Sequence, residues 1–239
     1  MRRFEVLSQA SAISVNAGQP LFLTSAHVVQ PMNWRNYYPQ EWMDFVKPEH
    51  VKITLDVSGC GDKTTHYDVD CSALRAHPFR DCCAMVLEPH EVRRYLEGEV
   101  HQRVTPVILS PNLLQPDDAS VTVAGHAIVD CLERIRDDGL RPQRPDTGEG
   151  CTLIRRTDAQ SFLRTPHVLV EGMCGGGLMD PSTDSCFGMI EGIVPTGGGN
   201  ELAGACAFIE SAELLTWVNL GCPSREAITE ELETRRQAK

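Results

Sequence analysis

Three short stretches of the sequence carry the residue types that acyl transfer needs. His27 ends the stretch T-S-A-H, Asp81 precedes the largely apolar run C-C-A-M-V, and Cys174 lies within G-M-C-G-G. A thiol attacks a carbonyl well only when a neighbouring base takes its proton, and an imidazole serves best when a carboxylate fixes its tautomer. The pattern therefore predicts a nucleophile at Cys174, a base at His27 and an orienting acid at Asp81.

The glycines around Cys174 are part of the same prediction. Glycine lets the backbone turn sharply, so that successive N–H groups can point at one position. Such N–H groups stabilise the oxyanion that forms when a nucleophile attacks a carbonyl. We expect the N–H groups of Gly172 and Cys174 to form this oxyanion hole.

The order His, Asp, nucleophile, with G-x-C-G-G at the third site, resembles the chymotrypsin-like (trypsin-like) proteases. It is most similar to their cysteine-nucleophile branch, known from viral 3C-type enzymes. The segment H-P-F-R-D at 77–81 is similar to the H-P-x-x-D segment of HtrA-type members. Towards the end of the chain, G-A-C-A-F-I at 204–209 and the helix-like S-A-E-L-L at 211–215 resemble a final strand and helix of the family.

The resemblance implies an all-β fold of two six-stranded antiparallel β-barrels with a C-terminal helix. We expect an N-terminal barrel over 1–98, a C-terminal barrel over 99–222 and a charged helix or tail over 223–239, with the site in the cleft between the barrels. Short runs rich in β-branched residues, broken by Gly, Pro, Asn and Asp, independently favour a β-sandwich or barrel. These predicted strands cover 4–15, 21–29, 51–57, 67–73, 82–87, 105–109, 121–128, 151–155, 167–170, 186–194 and 203–209. Residues 88–103 read as the connection between the halves, and 137–150 as a surface loop.

The resemblance also carries implications for substrate binding. Thr196 and Gly197 match the family strand that pairs with the substrate backbone, and Pro195 then stands where a serine usually supports the acid. Val168, six residues before the nucleophile, implies an apolar specificity pocket rather than an acidic one. His167 is expected to be a structural or surface residue.

A second departure from the family lies directly before the nucleophile. Family members that mature by proteolysis carry an Asp there, which pairs with a newly freed amino terminus, whereas this chain has Met173. Activation of that kind is therefore not expected. We also expect His27 to lower the pKa of Cys174, because an imidazolium beside a thiol favours the thiolate.

Charge and composition limit the partners. The formal net charge of −11 disfavours nucleic acid, which is bound through Lys and Arg. No apolar run is long enough to span a membrane. No cofactor is expected, and the lack of a C-x-x-C pair argues against a zinc site.

The ten cysteines are expected to be reduced. Adjacent Cys82 and Cys83 should point to opposite faces of one strand, which does not suit a disulfide framework. We therefore expect an intracellular, reducing compartment, either the cytoplasm or an organelle matrix after removal of a presequence.

Two hypotheses for function follow. The first is an endopeptidase that cleaves polypeptides with a Cys-His-Asp triad. The alternative is a catalytically inactive protease-like fold that serves as a structural subunit of a larger assembly. A protein partner would then dock through the C-terminal helix or through an aromatic insertion after the histidine, which contains Trp34, Tyr37, Tyr38 and Trp42; packing of that insertion onto its own barrel is the other interpretation.

Overall fold

The structure is a computed structural model that describes residues 6–16, 20–58, 64–86, 104–115, 121–129, 140–183, 185–197 and 201–237. Most of its regular structure is β-strand, in agreement with the predicted fold class. None of the described helices is long and apolar enough to cross a membrane.

The first half of the chain forms an open sheet and a hairpin. The sheet is antiparallel and contains β1 (Ala12–Asn16), β2 (Pro20–Thr24), β6 (Cys83–Val86) and β5 (Leu74–Ala76), in that spatial order. The hairpin pairs β3 (Ile53–Ser58) with β4 (Thr64–Val69). This half has the six strands that were predicted, but within its described residues they do not form a closed barrel. The prediction of an N-terminal barrel is therefore not confirmed.

The second half contains a closed six-stranded barrel. Its strands are β8 (Val121–Ile128), β9 (Gln143–Arg156), β10 (Ser161–Arg164), β13 (Cys206–Glu210), β12 (Ser185–Ile193) and β11 (Gly177–Met179). Each pairs antiparallel with the next in this order, and β11 pairs with both β12 and β8, which closes the ring. A short strand, β7 (Ile108–Leu109), adds in parallel to β12.

The α-helices in the described residues lie beside His27 and towards the end of the chain: α1 (Ala26–Val29), α2 (Ser211–Asn219) and α3 (Arg225–Gln237). Short 3₁₀ helices cover Pro31–Asn33, Glu41–Phe45, Pro48–His50 and Cys71–Ala73. The helix predicted after residue 210 is α2, and the predicted charged helix is α3. The Oγ of Ser224 accepts a hydrogen bond from the Ala227 N–H at 3.3 Å, so this serine caps the N-terminus of α3.

Alternation along β2 and β6 joins the two halves in one core. Leu21 and Leu23 face one side of the sheet, where they pack in a cluster with Met189 and Ile209 of the barrel and with Trp217 of α2. The intervening residues face the other side and pack against the hairpin. Because side chains alternate across a strand, each strand of this sheet serves two cores at once.

Cys82 and Cys83 lie in these two different clusters, as the alternation predicted. The eight cysteines within the described part of the chain are all free thiols.

The prediction of a surface loop over 137–150 is wrong for its described end, because residues 143–150 begin β9. This segment pairs with β8 along most of its length. The connection predicted at 88–103 and the predicted strand residues Phe4 and Glu5 lie outside the described residues.

Candidate active site

His27 lies where the central strand of the open sheet gives way to a helical turn. Strand β2 ends at Thr24, Ser25 is extended with φ −72° and ψ 131°, and α1 begins at Ala26. The change from strand to helix turns the imidazole away from the sheet. His27 as a whole is only 7% exposed.

Asp81 binds His27 through both carboxylate oxygens. Asp81 Oδ2 lies 2.5 Å from His27 Nδ1, and Oδ1 accepts the backbone N–H of His27 at 2.8 Å. An ionised carboxylate can only accept hydrogen bonds, so the proton of a neutral imidazole is held on Nδ1 and the lone pair is left on Nε2. This part of the predicted triad is therefore brought together as expected.

Strand β12 of the second half holds Asp81 in place through Glu191. Glu191 of β12 accepts the Asp81 N–H through Oε1 at 3.0 Å, and its Oε2 lies 3.3 Å from Arg80 Nη2. Gln160 also donates to Oε2. The side chains of Arg80 and Glu191 are nearly buried, with 11% and 12% exposure.

The sequence did not indicate this role for Glu191. Pro195, which the resemblance implied at the position supporting the acid, is exposed, so that expectation is wrong. The sequence did contain one sign of a role for Glu191: it is a single carboxylate between the apolar residues Ile190 and Ile193 of a core strand.

A tight loop carries Cys174. Gly172 has φ +96°, and a Cβ there would lie 2.5 Å from the backbone oxygen of His126, so only glycine fits this position. Gly175 donates its N–H to Ile190 O at 2.8 Å and Gly176 donates to Met173 O at 3.0 Å, which fixes the end of the loop. In contrast, the N–H groups of Gly172 and Cys174 form no hydrogen bond with another residue in the described part of the chain.

The thiol of Cys174 is held neutral by its surroundings. Burial, followed by the charges of Asp81, Glu171 and Glu191, raises its pKa to about 11 against a lowering by its own backbone N–H. The expectation of a lowered thiol pKa is therefore wrong. Among the described residues, no hydrogen bond joins the Cys174 thiol to the His27 ring, so only the His27 to Asp81 contact of the predicted triad is formed.

Tyr37 covers the imidazole. Its ring stacks on that of His27, with centroids 4.4 Å apart and planes 10° from parallel, although Tyr37 is 52% exposed. Its hydroxyl lies 3.9 Å from the position that a Cβ of Gly192 would take, so the side chain reaches from His27 towards β12. Burial raises the Tyr37 pKa to about 12, with contributions from Asp81 and Cys174.

Some of the other aromatic residues of the insertion pack against the protein, and others are exposed where a partner could bind. Trp34 contacts His27 edge to face with ring centroids 6.4 Å apart, and Tyr38 is buried. Trp42 is 52% exposed and Phe45 is 78% exposed. The insertion thus packs on its own half near the histidine and also leaves apolar rings at the surface.

The residues predicted to bind substrate lie together at the end of β12. Thr196 and Gly197 are exposed in the turn that follows the strand. A Cβ on Gly204 would lie 3.5 Å from Val168 Cγ2 and 3.6 Å from Thr196 Cγ2, so these two side chains flank one glycine. His167 is exposed, as expected of a surface residue.

Within the described ranges, no group of three or more His, Cys, Asp or Glu side chains is placed to bind an ion.

No protein-family model and no curated protein matches this chain. Among solved structures it is similar to an HtrA-type protease, AlgW with a decapeptide, at 14% identity and a TM-score of 0.48, over 90% of this chain and 53% of that one. It is also similar to the tobacco vein mottling virus protease, at 11% identity and a TM-score of 0.39, over 83% of this chain and 68% of the other. A third is kallikrein-related peptidase 10 in complex with Zn²⁺, at 13% identity and a TM-score of 0.40, over 92% and 97%.

The chain spans about half the length of the HtrA-type protease. At these identities and TM-scores the likenesses assign neither an activity nor a site to the chain. These three solved structures are chymotrypsin-like proteases, the family whose motifs the sequence resembles.

Proposed function

We propose that the protein is an endopeptidase of the trypsin-like cysteine or serine type that cleaves polypeptides by acyl transfer to Cys174. The observation that supports this most is the buried pair of His27 and Asp81, in which Nδ1 lies 2.5 Å from Oδ2 and the lone pair of Nε2 is left for a proton. The proposal includes the chymotrypsin-like arrangement of units over 1–98, 99–222 and 223–239. It also includes a cleft between the first two and a reducing compartment, in keeping with the free thiols.

The raised pKa of Cys174 determines how the first step proceeds. A thiol with a pKa of about 11 is protonated at neutral pH. As Sγ attacks the substrate carbonyl carbon, the thiol proton therefore passes to Nε2 of His27, and the carbonyl electron pair moves to oxygen. His27 acts as a general base, as it does for a serine nucleophile, instead of forming a resting ion pair.

The remaining steps return the enzyme to its starting state. The N–H groups of Gly172 and Cys174, which have no other partner in the described chain, stabilise the oxyanion. The intermediate collapses when the imidazolium protonates the departing amine nitrogen, and a thioester on Cys174 remains. Water attacks this thioester while His27 takes its proton, which releases the carboxylic acid and restores the thiol.

We propose that the substrate binds along the end of β12. Beyond Ile190, which pairs with the loop after Cys174, the outer edge of β12 has no strand partner in the described part of the chain. An extended peptide can add to such an edge by main-chain hydrogen bonds, continuing along Thr196 and Gly197. The walls offered by Val168 and Thr196 are uncharged, so we expect a small or apolar residue before the cleaved bond.

The test uses a peptidyl chloromethyl ketone with an apolar residue next to the reactive group, together with digestion of a peptide library. We expect stoichiometric labelling of Cys174, measured by intact mass and peptide mapping, and peptide cleavage that His27→Ala lowers by roughly 10²-fold to 10⁴-fold. Cys71→Ala is the matched control, because Cys71 is another incompletely buried free thiol. This variant should leave both labelling and cleavage unchanged. A folded, reduced protein that is not labelled at Cys174 would contradict the proposal.

A second candidate is the catalytically inactive subunit. It is favoured by the neutral, largely buried thiol and by the tyrosine stacked on His27. Under this alternative, Cys174 stays unlabelled and the library uncut, while the protein migrates in native extracts as part of a larger assembly.

A further inference from the structure

Ser11, which lies just before β1, contacts the nucleophile loop on both sides of its active residue. Its backbone N–H donates to Cys174 O at 2.9 Å, and its Oγ donates to Gly172 O at 2.8 Å. These two carbonyl groups belong to the peptide units that flank the unit between residues 173 and 174. The N–H of that central unit is the Cys174 N–H.

The remaining polar atoms of Ser11 anchor it to both halves of the molecule. Its Oγ accepts the His126 N–H of β8 at 2.7 Å, and its carbonyl oxygen accepts the Thr24 Oγ1 hydroxyl at 2.7 Å. Ser11 is 2% exposed. One buried residue thus joins the end of the histidine-bearing strand, a barrel strand and the nucleophile loop.

Glycines stand where the loop and β8 approach Ser11. A Cβ on Gly175, whose φ is +82°, would lie 2.2 Å from Ser11 O, and a Cβ on Gly125 would lie 2.8 Å from Ser11 Oγ. Any other residue at either position would push Ser11 away. The sequence therefore makes room for this serine on two separate elements.

The residues before Ser11 are also attached. The Gln9 side chain donates to Arg141 O and accepts the Arg141 N–H, both at 2.9 Å. Ser8 is hydrogen-bonded to Tyr38. The segment from Ser8 to Ser11 is thus fastened to the second half and to the insertion that covers His27.

We propose that Ser11 is a positioning residue that holds the oxyanion hole in its working geometry. This inference rests on the proposed function, because it assigns to Ser11 the orientation of one of the two proposed donors, the Cys174 N–H. The other donor, the Gly172 N–H, belongs to the peptide unit whose carbonyl, Glu171 O, accepts the Ile128 N–H at 2.8 Å. A loop that contains four glycines between 172 and 177 has little conformational restraint of its own. Fixing the carbonyls of Gly172 and Cys174 fixes the plane of the peptide between them, so the Cys174 donor need not reorganise during the reaction.

Ser11→Ala tests this role, because it removes both hydroxyl hydrogen bonds and keeps the backbone contact with Cys174. Hydrolysis of a peptide amide builds an oxyanion, whereas alkylation of Cys174 by iodoacetamide does not. We expect Ser11→Ala to lower kcat for peptide hydrolysis by roughly 10-fold to 10²-fold with little change in KM, and to leave the alkylation rate within about 3-fold. Amide hydrogen exchange in the peptide containing 172–176 should be faster than in the wild type.

Ser14→Ala is the matched control. Ser14 is a buried serine on the adjoining strand β1, and its hydroxyl has no hydrogen-bond partner in the described part of the chain. This variant should behave as the wild type. Thr24→Val provides a second variant if Ser11→Ala does not fold, because it removes only the hydroxyl that anchors Ser11 O; it should reduce kcat in the same direction with alkylation preserved.

Three results would overturn the inference. Wild-type kcat and loop exchange in both Ser11→Ala and Thr24→Val would show that the contacts do not orient the loop. A parallel loss of hydrolysis and alkylation would mean that Ser11 supports the site as a whole. If the wild type itself hydrolyses no peptide, the proposed function fails, which is a separate result, and the catalytic role of Ser11 fails with it.

Discussion

At the scale of single residues, Glu191 is the most important residue near the site whose role the sequence did not indicate. Its carboxylate accepts the Asp81 N–H and faces Arg80, so the acid that orients His27 is itself held from a strand of the other half. A buried carboxylate is costly unless it is paired and hydrogen-bonded, and here Arg80, Gln160 and the Asp81 N–H supply the donors. Glu191, and not Pro195 as the resemblance implied, therefore occupies the position that supports the acid.

Removing this carboxylate should weaken both stability and catalysis. Glu191→Ala leaves the Asp81 N–H without its acceptor and removes one ion pair of the nearly buried Arg80, which keeps its contacts with Ala159 O, Phe208 O and Glu213. We therefore expect a loss of about 1–3 kcal/mol in the free energy of unfolding. Because Asp81 then loses its backbone anchor, kcat/KM for peptide cleavage should also fall. Urea denaturation and steady-state kinetics measure the two effects.

Glu201→Ala is the control for Glu191→Ala. Glu201 pairs with Arg155 at the surface, where its side chain is 73% exposed, so its loss should cost less than about 1 kcal/mol. Equal stabilities for the two variants would show that the Glu191 network does not hold the acid.

At the scale of elements, local pattern predicts strands and helices where tertiary contacts agree with it. Val121 to Ile128 was predicted with its observed bounds, and the residues around β12 and β13 were predicted nearly as well. The stretch predicted as one strand over 21–29 divides into β2 and α1. Periodicity does not show this division, since both pieces are apolar.

The start of β9 shows why the prediction failed elsewhere. Pro145, Gly148 and Gly150 are turn signals in a sequence, yet this segment pairs with β8. At Gly148 a Cβ would already lie 3.0 Å from Val123 Cγ2, so this glycine reflects a close approach between strands rather than a turn. Such an approach depends on a residue 25 positions away and cannot be read from local composition.

We expect the C-terminal helix α3 to contribute little to the stability of the rest of the protein. Its described side chains are exposed except for Ile228, which is half-buried, and an isolated helix of this length is marginal in water. A chain that ends after Ser224 should therefore keep its melting temperature within about 2–4 °C, a shift that corresponds to less than about 1 kcal/mol. Thermal unfolding followed by circular dichroism measures this, and the helical signal should fall at the same time.

A matched truncation within α2 provides the contrast. A chain that ends at Ser211 loses Leu214 and Trp217, which belong to the core shared by the two halves, and should fail to fold. A large loss of stability from the α3 truncation would instead mean that this helix packs on the body of the protein.

At the scale of the whole molecule, the two halves are joined at the site and beneath it. Contacts between residues more than 100 positions apart hold Asp81 to Glu191 and Ser11 to the nucleophile loop. The order and types of His27, Asp81 and Cys174 can be read from the sequence because chemistry restricts them. Their supports cannot, because any polar residue brought close by the fold can supply a hydrogen bond.

His77 lies at this junction and should make stability depend on pH. It belongs to the first half, packs edge-on against Trp217 of α2 with ring centroids 4.8 Å apart, and accepts the Phe79 N–H at Nδ1. Burial, followed by the charge of Arg80, lowers its pKa to about 4. Between the ordinary value of 6.5 and about 4, the unfolded chain therefore binds a proton that the folded chain does not.

Stability should consequently fall as the pH is lowered through this window, by up to about 1.4 kcal/mol per pH unit. The test compares the pH dependence of the free energy of unfolding, from urea denaturation, in the wild type and in His77→Gln, which removes the titrating ring. Other groups, including Glu213 beside Arg80, titrate in both proteins, so the difference between the two slopes isolates His77. If His77→Gln keeps the wild-type slope, the imidazole of His77 is protonated as readily in the folded protein as in the unfolded chain, and the junction between the halves is more open to water than its packing indicates.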